Sequence, residues 1–481
     1  MDRREFLKQG VAVSTSAALS LPVSAAQTAA RKQPNVLYVF SDQHRAQSLP
    51  GEPLCEVVAP ALERFRKENL SMDACISNYP LCVPHRAILM SGRYSWQTKV
   101  YQNEHTLEPE VPGLGEVFQK SGYNTGYVGK WHLYHGEGQF VSKGPYRFGF
   151  EYWRVWANTN KHHDGITFNP DTGEKITVPG YQPTRMTDEA LEFINAQKGA
   201  EKPWFLVVSW NPPHPPFDPP EEDKSLYNAT ALKLAPNVRL TTPEDKITNP
   251  YPGLDSMDAL HQAAQGYYGG ITAIDKEFAR LLKALDENGM SDNTIVVYTS
   301  DHGEMMGSHG HMAKQMPHEE SCHVPFFVRV PGAKGRGRKS DALFASVDIY
   351  PTLCGLAGIA VPGHCSGYDF SSFMRGGASH PKAEMVFLMN EQGPATRQEI
   401  NVQTYRGVRT ATHTYAIQLD GRWCLYDNVK DPHQMKNLVK DPSQQALVKR
   451  LDAALIAWSK STGDPFPYDK ALSSYSSYPS A

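Results

Sequence analysis

Two predicted strands of the sequence end in acidic, amide and histidine side chains. Residues 36–40 and 294–299 form continuous apolar runs, which are typical of parallel strands buried on both faces. The polar side chains that follow these two runs are Asp42, Gln43, Asp301 and His302. Open α/β sheets assemble their sites at the carboxyl ends of such strands. Because oxygen atoms dominate this set, the sequence predicts a site for a hard divalent cation.

Basic and histidine side chains follow two further predicted strands, 123–128 and 204–208, and a downstream loop. They are Lys130, His132, His214 and Lys314. Gathered around a cation, these groups would suit a substrate with several anionic oxygens, meaning sulfate or phosphate. An acidic residue after a single strand is as often a helix cap as a ligand. The hypothesis therefore depends on all these strand ends meeting at one edge of the sheet.

The segment 81–93 contains a cysteine, a proline and an arginine at alternate positions, namely Cys82, Pro84 and Arg86. Pro84 is suited to the first position of a helix, which would place Cys82 just before the positive helix end. An anion or a thiolate is favoured there. The alternative is a small buried hydrophobic residue before a short helix.

The segments between the strands predict helices, and the alternation predicts an α/β fold with a large, mostly parallel sheet flanked by helices. The predicted helices are 61–69, 114–120, 188–197 and 271–288. Further along, short strands are predicted at 406–410, 414–419 and 422–426, with a helix at 444–459. We therefore expect a catalytic domain at 31–380, a smaller C-terminal α+β subdomain with an antiparallel sheet at 381–470, and a mobile tail at 471–481.

Cys-x-Pro-x-Arg at 82–86, followed by Ala-Ile-Leu-Met-Ser-Gly-Arg at 87–93, resembles the signature of the type I sulfatases of the alkaline phosphatase superfamily. The resemblance covers nearly the whole chain after the N-terminal segment. It includes Asp42, Gly129-Lys130-Trp131-His132, Pro213-His214, Ser300-Asp301-His302-Gly303-Glu304, Lys314 and the C-terminal subdomain. It implies an alkaline-phosphatase-like sheet and hydrolysis of sulfate esters, with a sulfated carbohydrate as the expected substrate.

The resemblance also implies how the nucleophile is made. In this family a formylglycine-generating maturation enzyme oxidises the signature cysteine, which here is Cys82, to formylglycine. One hydroxyl of the hydrated aldehyde attacks sulfur, and the other later loses its proton to expel sulfate. Arg86 would hold this hydrate.

Further roles follow by resemblance alone. Calcium would be held at the positions Asp42, Gln43, Cys82, Asp301 and His302, and would neutralise sulfate oxygens. Lys130 and Lys314 would clamp sulfate oxygens, and His132 would be the base for sulfate expulsion. His214, with Lys314, would protonate the leaving oxygen.

One departure from the family pattern opens a second hypothesis. Many sulfatases have two adjacent Asp residues after the first strand, whereas here the second is Gln43, which removes one negative charge. Calcium binding would be weaker, or another divalent ion would be used. Phosphonate monoester hydrolases and phosphodiesterases of the same superfamily also have an Asp-Gln pair, so this activity is the alternative. A catalytically silent glycan-binding relative is disfavoured, because a binding protein has no use for the full set of nucleophile, lysines and histidines.

Two other clusters are considered. His309, His311 and His318 lie close to His302 in the sequence and are compatible with zinc, although the resemblance places them in the loop that leads to Lys314. The aromatic-rich segment 146–156 is compatible with a sugar-stacking wall, but core packing is the favoured interpretation.

The N-terminus predicts export. Arg3-Arg4 precedes a weakly apolar run at 11–21, and a small-residue pattern ends at Ala25, so residues 1–25 resemble a twin-arginine signal peptide. We expect a periplasmic or extracellular protein with no membrane attachment after cleavage. The chain has 48 basic and 51 acidic residues, so nucleic acid is not an expected partner. Seven cysteines leave at least one unpaired. The particular sugar, the disulfide pairing and the oligomeric state stay open.

Overall fold

The continuous apolar runs form the centre of a ten-stranded sheet. The computed structural model describes residues 33–136, 139–157, 160–242, 256–334, 337–377, 379–381, 384–392 and 402–473. The predicted signal peptide lies outside these residues. Within the described part, no helix is long and apolar enough to cross a membrane.

The strands, in chain order, are β1 (Asn35–Asp42), β2 (Leu70–Met72), β3 (Cys75–Ile76), β4 (Asn124–Lys130), β5 (Tyr152–Trp156), β6 (His163–Phe168), β7 (Lys175–Tyr181), β8 (Trp204–Pro213), β9 (Thr294–Ser300), β10 (His323–Val324), β11 (Phe326–Arg329), β12 (Lys339–Ser340), β13 (Phe344–Ala345), β14 (Met385–Asn390), β15 (Tyr405–Thr410), β16 (His413–Gln418) and β17 (Gly421–Asp427). The helices are α1 (Pro60–Glu68), α2 (Cys82–Ser91), α3 (Ser95–Thr98), α4 (Leu114–Lys120), α5 (Gln182–Ala196), α6 (Glu221–Lys224), α7 (Met257–Glu287), α8 (Glu319–Cys322), α9 (Ser346–Ala357), α10 (Ser371–Met374), α11 (Gln445–Thr462) and α12 (Tyr468–Ser473).

The large sheet has the order β12-β2-β11-β9-β1-β8-β4-β5-β6-β7. Its five central strands, β9 to β5 in this order, are parallel to one another, whereas β11, β6 and β7 pair antiparallel at the flanks. A mostly parallel sheet was predicted, and this prediction is confirmed. Three short strands form a separate sheet in the order β10-β3-β13.

Helices cover both faces of the large sheet, which explains why its central strands lack polar alternation. Along β1, Tyr38 and Phe40 pack in one apolar cluster with residues of α2, α4 and α9. Leu37 and Val39 pack in the opposite cluster with residues of α1, α5 and α7. Successive side chains of a strand point to opposite faces, so both faces of β1 must be apolar.

The C-terminal part contains the predicted antiparallel sheet, with the order β14-β15-β16-β17. Strands β15 to β17 match the predicted strands within about two residues, and α11 matches the predicted terminal helix. The edge strand β14 was missed. The predicted tail begins inside α12, and its remainder, 474–481, lies outside the described residues. The proposed domain boundary near residue 380 stays a prediction.

Candidate active site

Four strands of the large sheet bring their carboxyl ends to one edge. Asp42 ends β1, and Asp301 follows β9 directly; the neighbouring residues Ser41 and Ser300 are paired in register. Lys130 ends β4, and His214 follows β8, whose Pro213 pairs with Asp42. The predicted meeting of these strand ends is therefore what the structure contains.

Cys82 is the first residue of α2, whereas the sequence had placed it just before the helix. The helix begins two residues before Pro84 because a proline is tolerated anywhere in the first turn, where backbone N–H groups have no helical partner. The Cys82 Sγ atom lies 3.2 Å from His302 Nε2, 3.6 Å from Asp42 Oδ1 and 4.0 Å from Lys130 Nζ. Burial, and then the Asp42 carboxylate, raise the pKa of the thiol to about 11. An unmodified Cys82 would therefore be a protonated, weak nucleophile at neutral pH.

Arg86, one turn further along α2, ties the strand ends together. Its Nη2 donates to Asp42 Oδ2 at 3.1 Å and to Asp301 Oδ2 at 3.2 Å. Its Nη1 donates to the Lys130 carbonyl at 2.6 Å and to Ser209 Oγ at 2.8 Å. The guanidinium also lies over the Phe40 ring, 4.8 Å from its centroid. Ser209 was missed in the sequence, although a serine inside the apolar strand β8 was the available signal.

The Asp42 carboxylate is surrounded by cationic groups. Lys130 Nζ donates to its Oδ2 at 2.7 Å. Burial raises the pKa of Asp42, but nearby positive charge, chiefly that of Lys130, outweighs burial and holds this pKa well below its usual range. The carboxylate is thus ionised at neutral pH and able to bind a cation.

The donor set fits a divalent metal ion. Asp42, Cys82, Asp301 and His302 each present a ligand atom, these atoms lie within 4.8 Å of one another, and all four residues are buried. Two carboxylates and a histidine nitrogen suit a hard or borderline divalent cation. Among the described residues, no other group of three or more His, Cys, Asp or Glu side chains converges in this way.

Gln43 is next to this group, but its side chain has other partners. Its backbone is left-handed, with φ 74°, and its N–H donates to Asp301 Oδ1 at 3.0 Å. Its Oε1 accepts a hydrogen bond from Lys314 Nζ at 2.6 Å, and its Nε2 donates to Glu304. Glu304 was not singled out as a functional residue. Its Oε1 accepts from the N–H groups of Met306 and Ala313, which fixes the loop that leads to Lys314.

The two predicted proton-transfer histidines lie beside the cations. The N–H of His214 donates to the Asp42 carbonyl at 3.1 Å, and its Nδ1 lies 2.7 Å from the Pro215 carbonyl. His132 has a left-handed backbone, with φ 57°. Burial lowers the pKa of both histidines well below the usual value, assisted by Lys314 at His214 and by Lys130 at His132. Both rings are neutral at neutral pH in this arrangement.

The two other clusters do not form sites. The His309 and His318 rings pack 4.3 Å apart, and His318 also contacts Tyr426 of the C-terminal sheet, so the zinc interpretation is not supported among the described residues. In the aromatic segment, Trp153 and Trp156 are buried in core clusters, as favoured from the sequence. All seven cysteines are free.

Comparison with known proteins agrees with this geometry. The sequence pattern of the Sulfatase family matches residues 34–359, and that of the N-sulphoglucosamine sulphohydrolase C-terminal region matches residues 307–461. An ulvan-active sulfatase of Formosa agariphila is 33% identical over 441 residues, which are 90% of this chain and 82% of that protein. An endo-4-O-sulfatase of Bacteroides thetaiotaomicron is 28% identical over 508 residues, covering 92% of this chain and 95% of that protein.

Solved structures with the same fold include relatives from this family. A structure from work on glycosaminoglycan metabolism by Bacteroides thetaiotaomicron has a TM-score of 0.79 at 26% identity, covering 93% of this chain and 100% of that one. The phosphonate monoester hydrolase of Agrobacterium radiobacter has a TM-score of 0.74 at 22% identity, covering 89% and 96%, which shows a shared fold. The family pattern matches most of the chain, and the strand ends bring buried carboxylates, lysines and histidines together. The chain therefore belongs to the sulfatase family and is a sulfuric ester hydrolase.

Proposed function

We propose that this chain removes sulfate from a sulfated carbohydrate, after a formylglycine-generating enzyme has converted Cys82 to formylglycine. One observation carries the proposal. Position 82 lies at the start of α2 among two carboxylates, a histidine and cationic side chains, all buried. When present, the hydrated aldehyde supplies an oxygen nucleophile, which the buried thiol does not.

The charged residues of the site would have different roles according to the sign of their charge. Asp42 and Asp301 hold a divalent cation, proposed to be calcium, which when bound neutralises sulfate oxygens. Arg86 fixes both carboxylates through its Nη2 atom, so that their ligand oxygens stay aimed at one point. Lys130 and Lys314 bind sulfate oxygens and stabilise negative charge that develops on them. Chelation of the purified enzyme should abolish turnover, and calcium should restore it; full activity in metal-free protein would contradict the cation.

Proton transfer would fall to the two histidines. His132, neutral because burial lowers its pKa, accepts a proton from the residue at position 82 when sulfate is expelled. His214 delivers a proton to the leaving oxygen. Burial, and then the charge of Lys314, lower the pKa of His214. The negative charge of a bound sulfate ester opposes Lys314 and raises the pKa of His214.

The names of the relatives support a carbohydrate substrate. They include an ulvan-active sulfatase, an endo-4-O-sulfatase and an N-acetylglucosamine-6-O-sulfatase. The test is release of inorganic sulfate from a panel of sulfated mono- and oligosaccharides and from 4-nitrophenyl sulfate. We expect turnover of at least one carbohydrate, and none by a Cys82→Ala variant. Turnover of the aryl ester alone would remove the carbohydrate from the proposal.

Phosphonate monoester hydrolysis is the second candidate, because of the Asp42-Gln43 pair and the shared fold. Sulfate esters and phosphonate monoesters carry the same charge, so the cations alone do not discriminate. Gln43, however, accepts a hydrogen bond from Lys314 at 2.6 Å. In this position Lys314 would bind the third small oxygen that a sulfate ester has. We expect kcat/KM for an aryl sulfate, or for a sulfated sugar if aryl groups are rejected, to exceed that for the matching phenylphosphonate by at least about tenfold. Equal or reversed values would favour the phosphonate hydrolase.

We also propose that the chain is exported to the periplasm or beyond the cell, with residues 1–25 removed. The maturation enzyme would act on Cys82 before folding buries it, since a twin-arginine route exports folded proteins. The N-terminal residue of the purified protein, read by mass spectrometry, tests the cleavage.

A further inference from the structure

A cleft of about 390 Å³ lies between the catalytic part and the C-terminal sheet. One wall is the loop 101–105, and the other is formed by Glu391, which follows β14, together with Thr404 and the segment 465–467. A volume of this size falls within the range of sites for small ligands, roughly 300 to 1,000 Å³. The roles assigned above to catalytic residues make no use of this cleft.

Hydrogen bonds join the first wall to the nucleophile. Asn103 Oδ1 accepts from the N–H of Val83, the residue after Cys82, at 3.1 Å. The Tyr79 hydroxyl, three residues before Cys82, donates to the Tyr101 carbonyl at 2.5 Å. Since neighbouring Cα atoms are about 3.8 Å apart, the loop lies on the order of 10 Å from position 82.

Hydrogen bonds also join the second wall to the sulfate clamp. Gln315, the residue after Lys314, donates from its side chain to Asn390 Oδ1 at 3.0 Å. The N–H of Glu391 donates to the Tyr79 hydroxyl at 2.8 Å, and the Gln102 side chain donates to the Glu391 carbonyl. Both walls are therefore hydrogen-bonded to the segments that carry Cys82 and Lys314, which places the cleft close to the catalytic centre.

The side chains of the cleft suit a sugar rather than an anion. Tyr101, Phe466 and Leu419 provide apolar surface, and Gln102 and Glu391 provide hydrogen-bonding groups. Apolar surface that alternates with hydrogen-bonding side chains suits an uncharged polar ligand, and a tyrosine ring offers a flat face with a polar edge.

Charge separates this cleft from the catalytic centre. Its described lining residues include no lysine or arginine, and Glu391 is their single carboxylate. Glu391 is held in place by Arg406 Nη2 at 2.6 Å and by Thr404 Oγ1 at 3.2 Å. Arg406 is buried and also pairs with Asp464, so these three charged groups together keep a net negative charge. A sulfate or carboxylate brought into the cleft would face them without a lysine or arginine among the described lining residues to oppose it.

We propose that the cleft is a subsite for the sugar that adjoins the sulfated one, and that it selects an adjoining sugar without a sulfate or carboxylate group. The proposal rests on the carbohydrate sulfatase function proposed above. The binding energy of this adjoining sugar would stabilise the transition state and so raise the rate of sulfate ester hydrolysis.

The test compares kcat/KM for 4-nitrophenyl sulfate with kcat/KM for the sulfated oligosaccharide that the wild-type enzyme desulfates fastest in the panel. Tyr101→Ala should lower the oligosaccharide value at least about tenfold more than the aryl value. Leu419→Ala, which shortens an exposed side chain at the rim, should act in the same direction and covers the case in which Tyr101→Ala does not fold. Tyr368→Ala, at an exposed tyrosine outside the cleft, is the matched control and should change neither value.

The charge selection has its own measurement. Disaccharides with the same sulfated sugar, and either a neutral sugar or a uronate beside it, are compared in the wild-type enzyme and in Glu391→Gln. The wild type should prefer the neutral neighbour, and Glu391→Gln should reduce that preference about tenfold. Equal losses on aryl and oligosaccharide substrates, or no loss, would overturn the subsite; a wild-type preference for the uronate would overturn the selection. A wild type that hydrolyses the aryl sulfate and no carbohydrate would overturn the carbohydrate function, and the subsite with it.

Discussion

Two buried arginines in this protein are paired with carboxylates in different ways. Arg409 on β15 makes a two-point ion pair with Glu319 of α8, at 2.6 and 3.2 Å. In Arg86, one nitrogen, Nη2, instead donates to two carboxylates at the ends of different strands. Both arginines are at least nine-tenths buried, so burial does not distinguish them.

The balance of charge does distinguish them. The Arg409–Glu319 pair matches one cation with one anion. Around Arg86, Lys130 adds a second cation at Asp42. Lys314 bonds Gln43, which contacts the buried Glu304, so three cations face three carboxylates and a divalent metal would bring an excess of positive charge. A buried excess of positive charge is costly unless an anion completes it. The comparison teaches that the reaction centre is the charge set that a bound metal would leave short of an anion, whereas a pair that is complete by itself marks a structural contact.

Loss of one carboxylate at the Arg86 cluster should have the largest effect. Asp301→Asn keeps the shape of the side chain but removes a charge that binds Arg86 and would bind the metal. We expect kcat/KM for an aryl or carbohydrate sulfate to fall about 10³-fold, or roughly 4 kcal/mol. Steady-state kinetics on protein whose circular dichroism matches the wild type measures it. A variant whose kcat/KM stays within about tenfold of the wild-type value would contradict the catalytic role of the Arg86 cluster.

The Arg409 pair should respond in stability instead. Arg409→Met leaves Glu319 buried beside a neutral side chain, so the free energy of unfolding should fall by about 3 kcal/mol. Activity per folded molecule should stay within about twofold. Denaturant unfolding and kinetics on the same preparation check both, and the double variant Arg409→Met/Glu319→Leu should recover much of the stability. A large loss of activity at unchanged stability would contradict the structural role.

A smaller effect is expected in acid. Burial raises the pKa of Glu319, but Arg409 and then His323 outweigh burial and hold it well below the usual range. A lowered folded-state pKa contributes stability above the unfolded pKa, about 4.3, and that stability is lost as the pH falls below it. The stability difference between wild type and Glu319→Gln should therefore begin to shrink below about pH 5 and continue to shrink as the pH falls toward the lowered pKa of the folded state. Unfolding curves at several pH values measure it, and a constant difference would show that the pair does not titrate.

The sequence predicted the central strands well because burial on both faces demands an unbroken apolar run, as in β1 and β9. It predicted α7 from residue 271, but the helix begins at Met257. The missing turns contain Gly266, Gly269 and Gly270, which disfavour a helix by propensity but leave room for close neighbours such as Phe217 and Pro219. Packing overrides propensity there.

The site was predicted as residues that meet at one edge, but not as a set of contacts. Strand order and register place Asp42, Lys130 and Asp301 together, and those follow from the α/β pattern. The bond between Gln43 and Lys314 joins residues far apart in the chain and depends on a left-handed turn at Gln43. No periodicity in the sequence encodes such a contact, so its consequence for Lys314 was not foreseen.

The chemistry at position 82 is the central claim, and the mass of the peptide that contains this residue tests it most directly. Protein matured in its export host is digested and analysed beside its measured sulfatase activity. The account predicts the mass of the aldehyde or its hydrate in place of the thiol, at an occupancy that tracks activity between preparations. A fully active preparation in which residue 82 carries an unmodified thiol would contradict it.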